Sequence, residues 1–385
     1  MRPHLFCALL LTVISAYSQP ILKPWITIDA QGTREITPFE IDGQRYLAVA
    51  QLAKDIPHTP ANMNGGNSDV DVIILREGKG LFTPLQSIPS HGNEGVEFFS
   101  INNIPYIAVA SIRSGPHAPY NINTYSKLYQ WDGKRFYPIQ QFFNLATKQW
   151  RHFQIGERHF LAQANGIIKS LSESSLSTNS MIYEWDGHSF QPFQTIASTW
   201  AYSWEFFEMD GQYYLALADH VNHSMIYQWN GRSFQTFQNF PGSGGRVFKY
   251  MKIGDKSLLA FANINHNSMI YQFKQGKWEP LQTLNGTGGR NFTYFKYKGD
   301  DYLLRINFIT GSREKPVSVL KSPLYRWNGN QFEQVEEITT YGGVSANPFM
   351  HGGQLMIAVA NSLSKDLRFK QPSLIYQVGE AQRPN

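Results

Sequence analysis

Arg151, Trp204, Arg246 and Arg290 each stand two positions before an aromatic residue, in four successive segments that share one pattern. Equivalent places in a repeated fold form a ring. Three guanidiniums and an indole in such a ring could hold a carboxylate, a sulfate or a sugar through forked hydrogen bonds and stacking. Trp150, Trp200 and Tyr202 are read as lying in the adjoining inter-blade loops and would extend an aromatic recognition surface. The competing reading is that each arginine meets a neighbour's carboxylate or carbonyl and only fills space.

Two glutamates, Glu97 and Glu205, precede equivalent aromatics two repeats apart. Paired carboxylates perform glycoside hydrolysis when held about 5 Å or about 6.5–9.5 Å apart, a spacing that sequence does not give. Glu40 and Glu208 show that strand glutamates recur here as a structural background. The segment Asp219-His220-Val221-Asn222-His223, with His266 beyond it, contains His-x-x-His, but off a helix and with no fixed third ligand. Asp69 and Asp71, near Asn67, lack the alternating oxygens and terminal glutamate of a calcium loop. No Gly-x-Ser-x-Gly elbow or phosphate loop is present. No catalytic residue, metal or cofactor is expected.

These positions depend on a scaffold that repeats. Residues 225–240 read as two alternating strands joined at Asn230-Gly231, a signature of a two-residue hairpin. The third-strand position recurs seven times, at Ile74, Tyr129, Tyr183, Tyr227, Tyr271, Tyr325 and Tyr376. Spacings of 44 to 55 residues indicate a solenoid or a propeller. In the clearest unit, strands are expected over 204–209, 213–218, 225–229 and 234–240, the four antiparallel strands of one blade. The second strand is nearly all apolar, as a strand covered on both faces must be.

Length varies in one place, between second and third strands, where 111–126 and 166–179 are long polar loops. Such loops on one side of a scaffold mark a binding face. The last repeat stops after its third strand, and Pro24-Trp25-Ile26-Thr27-Ile28 matches the missing fourth strand in pattern. The expected fold is therefore an all-β, seven-bladed β-propeller of four-stranded antiparallel blades, closed by an N-terminal strand that completes the last blade. An open solenoid would need polar capping repeats, and none is visible.

A charged start and a short apolar run, ending at Ala16-Tyr17-Ser18, read as a signal peptide over 1–18, leaving 19–385 as one propeller domain. The apolar run is too short to span a bilayer, so no transmembrane segment is expected. The only cysteine, Cys7, lies inside that leader. A net charge of +5 without a basic run gives no footprint for nucleic acid.

The pattern Phe-x-x-Phe-Gln-x-Ile, then Phe-Glu-Ile/Met-Asp-Gly-x-x-Tyr-Leu-Ala-x-Ala, then Ser-x-Ile-Tyr-x-Trp-x-Gly-x-x-Phe resembles the EAR repeat, also called EPTP or epilepsy-associated repeat. The resemblance covers residues 24–379, with repeats two to six closest. It implies the seven-bladed propeller of the leucine-rich glioma-inactivated proteins and a bias towards protein recognition outside the cell, with no catalytic residues. This chain lacks the partner domains and cysteines of those animal proteins. The expectation is an exported, secreted or periplasmic, non-catalytic binding module. It would recognise an extracellular or periplasmic protein, or a surface glycan, through the variable-loop face and channel mouth. The alternatives are a secreted carbohydrate-active enzyme using the channel carboxylates and a structural subunit of a larger assembly.

Overall fold

The computed structural model describes residues 20–166 and 179–380. The expected leader over 1–18 and most of the loop 166–179 lie outside the described residues. Seven four-stranded antiparallel sheets follow one another around a central channel. The inner strands are Thr33–Ile41, Asn93–Ile101, Thr147–Ile155, Ala201–Met209, Gly245–Ile253, Gly289–Tyr297 and Gly343–His351. Blade seven runs inner strand, Gln354–Asn361, Ser373–Glu380, and then Pro20–Ile28 from the other end of the chain. The ring is closed by main-chain hydrogen bonding between its two ends, which removes the open edges of an array.

Composition explains how the blades pack. In second strands such as Gln44–Gln51 and Gln212–Asp219, alanines 48, 50, 216 and 218 have no exposed surface. Small side chains let sheets that converge on an axis approach closely. Seven apolar clusters are each shared between two neighbouring blades. Phe39, Ile74, Val96, Ile107, Trp131 and Phe136, for example, join blades one and two. The core is thus seven inter-blade seams, with an eighth cluster, including Leu52, Ile112, Phe308, Val344 and Leu363, on the variable-loop face.

The outer strands are fastened by glutamine. Gln140, Gln194 and Gln238 each donate to the carbonyl and accept the N–H of one residue in the next blade: Phe190, Phe234 and Trp278. Gln86 and Gln282 do the same to Phe136 and Phe332. A bulge just before each glutamine, as at Phe193, aligns it with its neighbour. At the sixth seam Glu336 accepts the Leu22 N–H in the closing strand.

The turns differ from expectation in one respect. Trp229 pairs with Phe234, so the loop at Asn230-Gly231 has four residues, not two. The Asn230 Oδ1 accepts the N–H groups of Arg232 and Ser233 and holds the longer turn. Two-residue turns occur instead between first and second strands, as at Asp210-Gly211, where both residues have positive φ.

On the opposite face, a belt of backbone hydrogen bonds joins the blades. The residue before each inner strand contacts both its own and the preceding blade; Gly32 donates to Phe369 and accepts from Leu52. Gly32 has φ +57, and a Cβ there would lie 2.7 Å from the Ala53 carbonyl oxygen, so glycine is required.

Candidate functional site

Every inner strand carries a β-bulge at its second residue. The seven bulged residues are Arg34, Glu94, Lys148, Tyr202, Arg246, Arg290 and Val344. A bulge leaves a residue out of the ladder and re-aims its side chain. Here it turns six polar side chains into the channel mouth on the variable-loop face.

They meet across the channel. The Glu94 carboxylate receives Lys148 Nζ and Arg290 Nη2 at 3.2 Å each and has Arg34 Nε at 3.8 Å. Arg290 belongs to blade six and Glu94 to blade two, so this contact bridges the full width of the channel. The Tyr202 ring lies under the Arg246 guanidinium at 3.8 Å, with Arg290 at 4.6 Å and Lys148 at 5.2 Å. Burial alone would raise the Glu94 pKa, but Lys148, Arg34 and Arg290 together outweigh it and hold it at about 2. For Tyr202 burial is again the largest influence and acts upward, yet Arg246, Lys148 and Arg290 jointly keep the phenol below its ordinary value.

The charges do not balance. Among the described residues, Arg34, Lys148, Arg246 and Arg290 face a single carboxylate. Arg246 is only 6% exposed, and its hydrogen bond goes to the adjacent Gly245 carbonyl. Burial pushes its pKa down to about 10. Nearby, His220 Nδ1 and Trp200 Nε1 are buried without a hydrogen-bond partner among the described residues, as is Arg34 Nε. Burial, then Arg246, Lys148 and Arg290, push His220 down to about 3, so its ring is neutral at physiological pH.

One layer deeper, charges pair. Glu97 accepts the His152 N–H at 2.9 Å and meets Arg151 at 3.4 Å; Glu205 accepts the Tyr250 N–H and meets Lys249 at 3.0 Å. Thr37 and Asn347 likewise bond backbone carbonyls of the neighbouring inner strand. An inner strand has a free edge on the channel, and these side chains satisfy it. Glu97 and Glu205 are therefore engaged as edge acceptors and ion-pair partners.

The structure brings Arg246, Arg290 and Tyr202 together at the mouth. Arg151 lies three positions deeper with Glu97. Trp204 and Trp150 have at most 1% of their surface exposed and fill inter-blade seams. Trp200, half-buried, stacks beside Tyr202 and edge-on to His220. Arg151 and Trp204 are thus not equivalent to the two arginines. Inner strands hold aromatics at the fourth, sixth and seventh positions, such as Trp204, Phe206 and Phe207, and counting back from different ones shifts the register. Counting forward from the loop residue before each strand finds the whole ring, including Arg34, Glu94 and Lys148.

The Asp219 carboxylate accepts the N–H groups of Thr199, Trp200, Val221 and Asn222, which makes it a turn residue. Asp69 accepts from His91 and Gly115. Among the described residues no three of His, Cys, Asp and Glu are grouped to hold a metal.

The loop face is uneven. The third and fourth strands of blade two, Asn123–Trp131 and Phe136–Leu145, and of blade six, Val319–Trp327 and Phe332–Tyr341, outgrow those of the other blades. Blade six adds a small hairpin, Thr310–Gly311 with Pro316–Val317. Tyr125 and Phe143 form an exposed aromatic pair on the blade-two extension, 48% and 60% exposed.

The EPTP domain family matches this chain four times, over residues 81–132, 135–186, 189–230 and 233–273. Each match starts at an outer strand and ends at the third strand of the following blade, so the sequence unit straddles two blades. The thrombospondin-type laminin G domain and EAR repeat-containing protein of Homo sapiens is 30% identical over 158 residues, 40% of this chain and 22% of that protein. Its Mus musculus counterpart is 35% identical over 131 residues, 33% and 17% of the two chains. The match spans about a fifth of the length of these curated relatives. Among solved structures, the crystal structure of Saccharomyces cerevisiae Sqt1 superposes with TM-score 0.56 at 8% identity, covering 92% of this chain and 99% of that one. That likeness is of fold alone.

Proposed function

This chain carries EPTP repeats, and from that premise we propose that it is an exported, non-catalytic binding module that recognises a protein partner. The contact surface is the variable-loop face around the channel mouth. One observation carries the reading: this face bears the blade-two and blade-six extensions, with Tyr125, Phe143 and Val317 held in solvent. Exposed aromatics raised on a rigid scaffold are typical anchors of a protein interface. No helix among the described residues is long and apolar enough to cross a membrane. Export rests on the leader read over residues 1–18. A surface glycan is the second ligand class, favoured by the aromatic and cationic side chains at the mouth. The hydrolase alternative has less support, because both of its candidate carboxylates are occupied by backbone N–H groups and cations.

The test is capture of surface-extract proteins and of an arrayed glycan set by the chain from residue 19 onward, beside two variants. Replacing Tyr125 and Phe143 by serine alters the loop face. Replacing Leu81 and Ile104, exposed at the opposite turns, is the control. The expected result is a partner lost in the first variant and kept in the second. A partner lost only in the control, or turnover of a captured glycan that Glu97→Gln and Glu205→Gln abolish, contradicts the proposal.

A further inference from the structure

Three other arginines, two buried and one half-buried, show how this protein seats a guanidinium. Arg305, 1% exposed, donates to the carbonyls of Leu284, Asn285, Gly286 and Thr287. Arg113, 4% exposed, donates to the Asn64 and Gly65 carbonyls and the Ser68 hydroxyl, with Tyr120 stacked at 4.0 Å. Arg151 meets Glu97. Each has a socket. Among the described residues, Arg246 has one hydrogen bond, to the Gly245 carbonyl, and the face of Tyr202.

Burying a charge without a counter-charge is costly, several kcal/mol even after relaxation. The deeper layer pairs Glu97 with Arg151 and Glu205 with Lys249, and its third carboxylate, Glu35, accepts the Val96 N–H. Among the described residues the mouth layer holds four cations and one carboxylate; in its walls His220 Nδ1 and Trp200 Nε1 lack a hydrogen-bond partner, and Arg34 Nε has only the Glu94 carboxylate at 3.8 Å. Three uncompensated positive charges with unpartnered groups beside them form a receptor for negative charge.

We infer that the channel mouth binds one small oxyanion, a carboxylate or a sulfate-sized ion, among Arg246, Arg290, Arg34, Lys148 and Tyr202. The site deepens the binding-module reading by naming the chemistry at the centre of its recognition face. Guanidiniums offer forked pairs of N–H groups suited to planar or tetrahedral oxyanions. Neutral His220 adds a donor without adding repulsion between cations. Arg290 and Tyr202 are the two polar members left half-buried, and they mark the way in. The anion is either free in solution or the side-chain carboxylate of a docked partner.

The experiment is calorimetric titration of the chain from residue 19 onward at constant ionic strength set by chloride. Sodium sulfate is the probe for a free ion, and N-acetylglutamate amide is the probe for a partner's side chain. Saturable binding of either is expected, at least tenfold weaker in Arg246→Gln. Arg34→Gln, on the far side of the ring, gives an independent reading. Without added oxyanion, Arg246→Gln should melt higher than the wild type, because it removes an uncompensated buried cation. Sulfate alone binding identifies a free ion, and competition between the two probes identifies one site open to a partner's carboxylate. No heat beyond the chloride background, or equal binding to wild type and both variants, overturns the inference. That failure leaves the loop-face proposal standing, since capture through Tyr125 and Phe143 is scored separately.

Discussion

The residue on which the mouth depends is Glu94. Among the described residues it is the one carboxylate facing the four mouth cations, 8% exposed. Replacing it with glutamine strands Lys148, Arg34 and Arg290, and chemical denaturation should register a loss of about 3–5 kcal/mol, partly restored by sulfate. The pH dependence follows from its depressed pKa. Between the ordinary carboxylate range and about 2, the unfolded chain takes up a proton that folded Glu94 refuses, so stability falls as pH drops through that window. Glu35 acts in the opposite sense. Burial first, then Glu97, raise its pKa to about 7, so folded Glu35 holds a proton that the unfolded chain has released. Its contribution is full below about 4.5 and lost as pH rises to about 7. Glu35→Gln should flatten that slope and stabilise the protein at pH 8, by on the order of 1–2 kcal/mol, as read from melting curves at pH 5 and pH 8. At this scale the sequence was partly legible. It pointed to Arg246, Arg290 and Tyr202 but placed Arg151 and Trp204 beside them, because the aromatics used as the reference stand at different positions of their inner strands. The sevenfold repetition of residues just after the loop glycine was the available signal.

At the scale of strands, recurrent residues turn out to be fasteners. The Gln of Phe-Gln-x-Ile stitches outer strands together, and the Ser of Ser-x-Ile-Tyr holds the start of the third strand. Ser180, Ser224, Ser268, Ser322 and Ser373 each accept the N–H that ends the second strand. Gln194→Ala should cost about 1–3 kcal/mol, since it leaves the Phe234 N–H and carbonyl without their side-chain partner. Glu336 has the glutamine position but, ionised, can only accept. Burial raises its pKa. Glu336→Gln restores a donor and should raise stability at pH 7 by up to about 1 kcal/mol, with the gain shrinking in acid as the native glutamate acquires a proton. Strand positions were readable from alternation, and 234–240 matches the observed Phe234–Phe240. The turn at Asn230 was not, because its length is set by which N–H groups the side chain caps, and the dipeptide alone does not record that.

At the scale of the molecule, the ring is legible because its period is. Seven third-strand copies and an unpaired strand pattern at the start predict closure, and Pro20–Ile28 pairs with Ser373–Glu380. Deleting residues 19–28 should expose the edge of Ser373–Glu380 and the apolar seam under Leu22 and Trp25, giving aggregation in size-exclusion chromatography and a broadened melt. What the repeat could not give was the charge balance of the channel, since it depends on which side chains meet across the axis. Arg290 reaching Glu94 from three blades away is not a local fact of the chain. The most direct test of the account is therefore crystallographic: crystals soaked in selenate, a sulfate analogue, and measured at the selenium edge. The account predicts an anomalous peak in the channel mouth within hydrogen-bonding distance of Arg246 and Arg290. Selenate at surface sites with an empty mouth would contradict it.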